Sequence, residues 1–242
     1  LTRRWRWVVP ASVLGVVSIG AFALPVLADD PDLPDRTAEQ LLADLASAEA
    51  VPMSGTFTHT ADLGLPEVPQ TGTGSPSLLA LAGGTTSARL WYGGDELQRL
   101  SLMGSLSETD VVRNGDDVWY WTSSNNNAVH VTLAEHSPDV MQAPVTPPDA
   151  AEQALDAVDP ATAVSVDGTA KVASRSAYEL VLEPRDDATL IGQVRLAVDA
   201  ETSLPLRVRV YAKGESSPSL ESGFTSVSFE APSESVFGFT PP

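Results

Sequence analysis

His59, His130 and His136 are the only imidazoles in this chain, and it contains no cysteine. Nucleophilic or metal chemistry would have to be assembled from these three with carboxylates and hydroxyls. No zinc-type histidine spacing, no Gly-x-Ser-x-Gly turn, no His-Glu-x-x-His helix and no phosphate-binding glycine loop occurs. A lone histidine in a strand, such as His130, is far more often structural than catalytic. The acidic groups at 29–35, 116–117 and 186–187 carry the oxygens calcium prefers, but none has the ligand spacing of a calcium loop. Solvated turns account for them. The sequence therefore predicts no enzyme, no metal and no cofactor.

What remains is recognition through apolar surface. Trp119 and Trp121 share one side of a strand while Val118 and Tyr120 take the other, so both faces are apolar. A cavity for an apolar ligand needs large side chains and few charges, because burial contributes about 25 cal/mol per Å² removed from water. The residues suited to line one are Trp91, Leu100, Leu102, Trp119, Trp121, Val129, Val131, Tyr178, Leu180 and Leu196. Each taken singly is more often a plain closed-core residue. Arg207 and Arg209, with Lys213, lie on one strand face of an acidic protein and could meet a lipid head group or an acidic partner. Plain solvation is the commoner fate of such charges.

The elements that must position these residues are mostly strands. From 178 to 210 the chain alternates at a period of two: Tyr178, Leu180 and Leu182, then Val194, Leu196 and Val198, then Leu206, Val208 and Val210. Glu179, Arg195, Arg207 and Arg209 fall on the opposite side, which describes an antiparallel meander with one apolar face. Further strands are predicted over 53–60, 86–92, 96–103, 109–113, 118–122, 128–133 and 219–229, with Phe237 and Phe239 in a last strand or a strand-like tail. Thr37 to Gln40 fits a capping box, and Leu41, Leu42 and Leu45 follow at helical spacing, which predicts a helix over 37–50. A second, short helix is predicted over 150–158. The stretch 61–86 is rich in Gly, Pro and Ser. Its apolar run Leu78, Leu79 and Leu81 is either a short helix packed on the sheet or a lid over a pocket. Strands and helices do not alternate, so the expected fold is mainly β: one large, curved antiparallel sheet forming an unclosed barrel, its concave side covered by two or three helices.

Arg3, Arg4 and Arg6 precede an uncharged stretch at 7–27, and Ala28 offers a small residue at a cleavage position. Residues 1–28 thus read as a signal peptide or a retained membrane anchor. The basic end stays in the cytoplasm either way, and the rest is extracytoplasmic. Residues 29–36 form an acidic linker, and 37–242 one domain. The net charge of −18 becomes more negative without the three arginines. Such a surface repels nucleic acid. The absence of cysteine excludes a disulfide framework and a lipidated cysteine, and a monomer is expected.

Four stretches together carry a resemblance: NGDDVWYW at 114–121, YELVLEP at 178–184, VRLAVDAETSLPLRV at 194–208, and GFTSVSF followed by VFGFTPP at the end. Over about 36–242 the chain resembles the periplasmic lipoprotein-carrier superfamily: the LolA carrier, the LolB receptor, LppX-type lipid carriers and RseB-type sensors of sigma-factor pathways. The resemblance implies a half-barrel whose concave apolar face accepts lipid or lipoprotein acyl chains beneath a lid. A long 61–86 insertion and a retained anchor would suit a shuttle poorly. A membrane-anchored sensor with a membrane protein partner is the alternative, and a structural envelope module the third.

Overall fold

The computed structural model describes residues 31–62, 83–104, 107–133, 146–156, 162–186 and 188–241. Its strands are β1 (Met53–Asp62), β2 (Gly83–Gly94), β3 (Leu97–Met103), β4 (Glu108–Asn114), β5 (Asp117–Thr122), β6 (Asn127–Thr132), β7 (Thr162–Val172), β8 (Arg175–Pro184), β9 (Ile191–Asp199), β10 (Pro205–Ala212) and β11 (Leu220–Ser228). Helices α1 (Ala38–Ser47) and α2 (Pro147–Asp156) and a 3₁₀ turn (Glu234–Phe237) accompany them. All eleven strands join in one sheet, ordered β6-β5-β4-β3-β2-β1-β11-β10-β9-β8-β7.

Two meanders produce this order. β1 to β6 step outward from the middle in one direction. β7 begins at the opposite edge, and β8 to β11 step back until β11 pairs antiparallel with β1. Because β6 and β7 lie at opposite edges, the curved sheet is not closed into a barrel. Among the described residues no helix is long and apolar enough to cross a membrane.

The helices cover only part of the sheet. In α1 the Thr37 hydroxyl accepts from the Gln40 amide at 3.3 Å, and the Gln40 side chain accepts from the Thr37 amide at 2.9 Å, completing the capping box. The buried Leu41, with Leu42 and Leu45 beside it, packs into a cluster with Tyr178, Leu180, Leu182, Leu196, Val198 and Val208. Ala150 and Ala151 of α2 close the same cluster, and α2 rests on β10 and β11. The linker is tied down here as well: Leu33 joins the cluster, and the Tyr178 hydroxyl donates to the Pro34 carbonyl at 2.9 Å. A second cluster unites Met53 and Phe57 with Leu90, Tyr92, Leu100, Leu102 and Phe224.

Four expectations are corrected. α2 begins three residues earlier than predicted, because Thr146 caps it. Asp149 accepts from the Thr146 hydroxyl at 2.6 Å while Pro147 and Pro148 occupy first-turn positions that need no N–H. β7 is a full strand that the sequence pattern did not announce. Its Asp167-Gly168 resembles a hairpin turn but forms an irregularity in the ladder, with Gly168 at φ +75° and the register shifting between Val166 and Thr169. Leu206 leaves the face of Val208, because a register shift between Pro205 and Arg207 sends it into the Met53 and Phe57 cluster. The final Phe-x-Phe is no strand: Phe237 ends the 3₁₀ turn, 1% exposed. Its phenyl ring lies where a Cβ on Gly93 would come within 3.1 Å, and Arg99 and Asn114 donate to the Val236 and Phe237 carbonyls, so the segment packs across β2, β3 and β4 instead of adding an edge.

Candidate functional site

Register assigns each candidate side chain to a face, since cross-strand partners point the same way. One row runs Leu90, Leu100, Val111, Tyr120, Val129 from β2 to β6, the edge strand among the described residues. Exposure rises along it. Leu90 is 3% and Leu100 6% exposed, Val111 and Tyr120 are half-buried, and Val129 is 44% exposed. Val118 and Val131 form a second pair on the same face, both partly exposed. β4 to β6 thus extend the apolar surface of the core outward as a shelf that no described helix covers.

The same alternation sends the tryptophans to the other face. Trp91, Arg99, Val112, Trp119 and His130 form one cross-strand row there. Trp119 stacks on His130 at 4.3 Å, His130 Nε2 meets Asp117 Oδ1 at 2.7 Å, and Phe239 lies 5.4 Å from the Trp119 ring. Trp121 donates its indole N–H to Asn126 at 3.3 Å. Arg99 pairs with the buried Asp110 and donates to the Val236 carbonyl, so the C-terminal segment covers part of this face. Trp91, Trp119 and Trp121 therefore do not line a common wall with Leu100, Leu102, Val129 and Val131.

Tyr178, Leu180 and Leu196 share a face with the shelf but lie beneath the helices, Leu180 and Leu196 at 0% exposure. Leu78, Leu79 and Leu81 lie outside the described residues. Arg207 donates to Glu179 at 2.8 Å and Arg209 to Glu221 at 2.8 Å, while Arg195 bridges Glu179 and Asp167. Those guanidiniums are committed to cross-strand ion pairs. Nearby, Asp199, the last residue of β9, is buried beside the β9–β10 turn. Burial alone would raise its pKa, but bonds from Arg175 at 2.5 and 2.9 Å and from the Thr202 amide and hydroxyl outweigh that and hold it below the ordinary value.

One buried polar group had no sequence signal beyond being a histidine. His59, on the central strand, is 6% exposed between Thr86 of β2 and Ser222 of β11, and its Nδ1 has no partner among the described residues. Burial lowers its pKa, which keeps it neutral. At the base of α2, burial pushes Asp149 up to about 6. Among the described residues no group of three His, Asp or Glu could hold a metal ion.

The MucB/RseB N-terminal domain family matches residues 83–234. Of solved structures, MucB from the Pseudomonas aeruginosa MucA/MucB complex is 21% identical, with a TM-score of 0.52 over 84% of this chain and 61% of that one. MucB crystallised alone is 19% identical, with the same TM-score over 84% and 62%. The chain spans about three fifths of the length of those MucB chains. A LolA superfamily protein from Nitrosomonas europaea aligns over 85% of this chain and 99% of its own at 12% identity, with a TM-score of only 0.32. No curated protein matches. With an unclosed eleven-stranded sheet and a family match over more than half its length, this chain belongs to the MucB/RseB N-terminal domain family.

Proposed function

We propose that this chain is an extracytoplasmic, non-enzymatic binding domain of a regulator, which takes acyl chains of a lipid or lipoprotein on the apolar shelf of β4 to β6. The observation that carries the reading is the gradient of exposure from Leu90 to Val129. A row that starts in the core and ends exposed at β6, the edge strand among the described residues, offers an acyl chain a continuous apolar track. Each fully buried methylene would contribute about 0.8 kcal/mol. MucB, the solved relative, forms a complex with MucA. A protein partner, anchored in the membrane, accordingly suits this chain better than free diffusion between membranes, and N-terminal anchoring through 1–28 fits the same role. The carrier reading shares the shelf and differs in needing no such partner.

The test is titration of delipidated protein with a dansyl-labelled fatty acid. Saturable fluorescence enhancement is expected, reversed by unlabelled fatty acid and weakened about tenfold by Val129→Glu. Protein that purifies without lipid and gives no enhancement with any acyl probe overturns the reading.

A further inference from the structure

On the face opposite the shelf, at the middle of the sheet, a shallow recess of about 240 Å³ opens beside Arg89 and Trp91. Its shape follows from register. Ser228, Ser54 and Trp91 form one cross-strand row, and Ser226, Thr56 and Arg89 the next. Four small hydroxyl residues on β11 and β1 thus lie beside two large side chains on β2, and the difference in height makes the hollow. The β1–β11 ladder slips a register here, between Thr56 and Phe57.

With 32 acidic against 14 basic residues, most described guanidiniums find a carboxylate: Arg36, Arg99, Arg175, Arg195, Arg207 and Arg209 all do, whereas Arg113 donates to the Gly115 carbonyl and the exposed Arg185 pairs with nothing among the described residues. Arg89 is exposed and has no ion pair or hydrogen bond among the described residues. It lies 5.8 Å from the Trp91 ring, whose other cationic neighbour, Arg99 at 5.5 Å, is neutralised by Asp110. The hydroxyls of Ser54, Thr56 and Ser226 are likewise uncommitted among the described residues. A positioned cation, an aromatic wall and spare hydroxyl donors together suit an oxyanion.

We infer that this recess is the docking point for an Asp or Glu side chain of an acidic segment in a protein partner. The inference rests on the regulator reading, and adds to it where the partner is held. The volume is below the roughly 300–1,000 Å³ of small-molecule sites, so it suits one side chain of a larger molecule. A lipid head group fits less well. The sheet separates the recess from the apolar shelf, and β1 is its central strand, so a lipid lying on the shelf cannot place its head here.

The test is an NMR titration of ¹⁵N-labelled protein with N-acetylated, amidated hexaglutamate, following the Trp91 indole N–H, which is assigned with Trp91→Phe. A saturable shift is expected, absent with hexaglutamine, weakened by salt and reduced about tenfold by Arg89→Glu. A shift of equal size with hexaglutamine, or one that Arg89→Glu leaves unchanged, overturns the inference. So does displacement of hexaglutamate by phosphatidylglycerol vesicles through Arg89, which would make the recess a membrane contact. The dansyl fatty acid titration on the same Arg89→Glu sample separates the two proposals. Normal acyl binding with lost hexaglutamate binding supports the docking point, and normal hexaglutamate response in a protein that binds no acyl probe fails the shelf alone.

Discussion

The two halves of the sheet are built from the same alternating pattern yet end differently. Around β8 to β10 the apolar side is sealed by α1 and α2, and Leu180, Leu196 and Val198 are at 0% exposure. Around β4 to β6 the equivalent side carries Val111, Val118, Tyr120, Val129 and Val131, none of them buried. Among the described residues the difference lies in what is laid over the strands, since both halves alternate equally well. Apolar alternation therefore identifies surface that can be buried, and a covering element decides whether it becomes core or shelf.

That contrast can be broken most sharply from the sealed side. Leu180→Ala should cost about 3–4 kcal/mol, as for a fully buried leucine, read as a lowered urea midpoint. A loss below about 1 kcal/mol would mean that the helices do not seal this half. Asp199→Ala removes the carboxylate that anchors Arg175 and the β9–β10 turn, and should cost about 3 kcal/mol in the same measurement.

Titration sharpens the comparison next, because His59 and Asp149 respond to acid in opposite senses. His59 has a lowered pKa in the folded chain, so its contribution is complete above its ordinary value of 6.5 and declines as pH falls through that value and below. Asp149 is raised from 3.8 to about 6, so its contribution is complete below 3.8 and is lost as pH rises through 6. Denaturation from pH 7 to pH 4.5 should show His59→Phe removing a loss of stability on acidification. Asp149→Asn should remove a gain, its amide oxygen keeping the cap. Equal pH profiles for wild type and both variants would refute the assignment. The smallest stability effect is expected at Val129→Ser, within about 0.5 kcal/mol, paired with weaker fatty acid binding. Destabilisation as large as that of Leu180→Ala would make the shelf core.

The sequence pattern carried the architecture well where one residue type has one use. Thr37 and Gln40 announced α1, and the alternation from Tyr178 to Val210 announced the β8 to β10 meander. It failed where one pattern serves two geometries. Asp167-Gly168 suits a hairpin turn and a bulge alike, so β7 was hidden. Thr146-Pro-Pro-Asp is a capping box whose prolines also read as a loop. The site was less legible for another reason. Trp119 and Val129 sit on adjacent strands, and a slip of one residue would exchange their faces. Only the observed register separates the tryptophans from the shelf. Arg89 had no signal at all, because an unpaired charge is visible only once the side chains around it have been placed.

The central position of the β1–β11 pair has a kinetic consequence. Ser54 meets Ser228 across almost the whole chain, while every other neighbouring pair in the sheet links strands consecutive in sequence. The two meanders can form early from local contacts, but their seam closes only when β11 is available, and such long-range pairing is slow. A chain emerging N-terminus first would hold β1 as an exposed, unpaired edge until nearly all of it had been delivered. That interval is when it would most need a chaperone, and a truncation ahead of Leu220 would make the interval permanent.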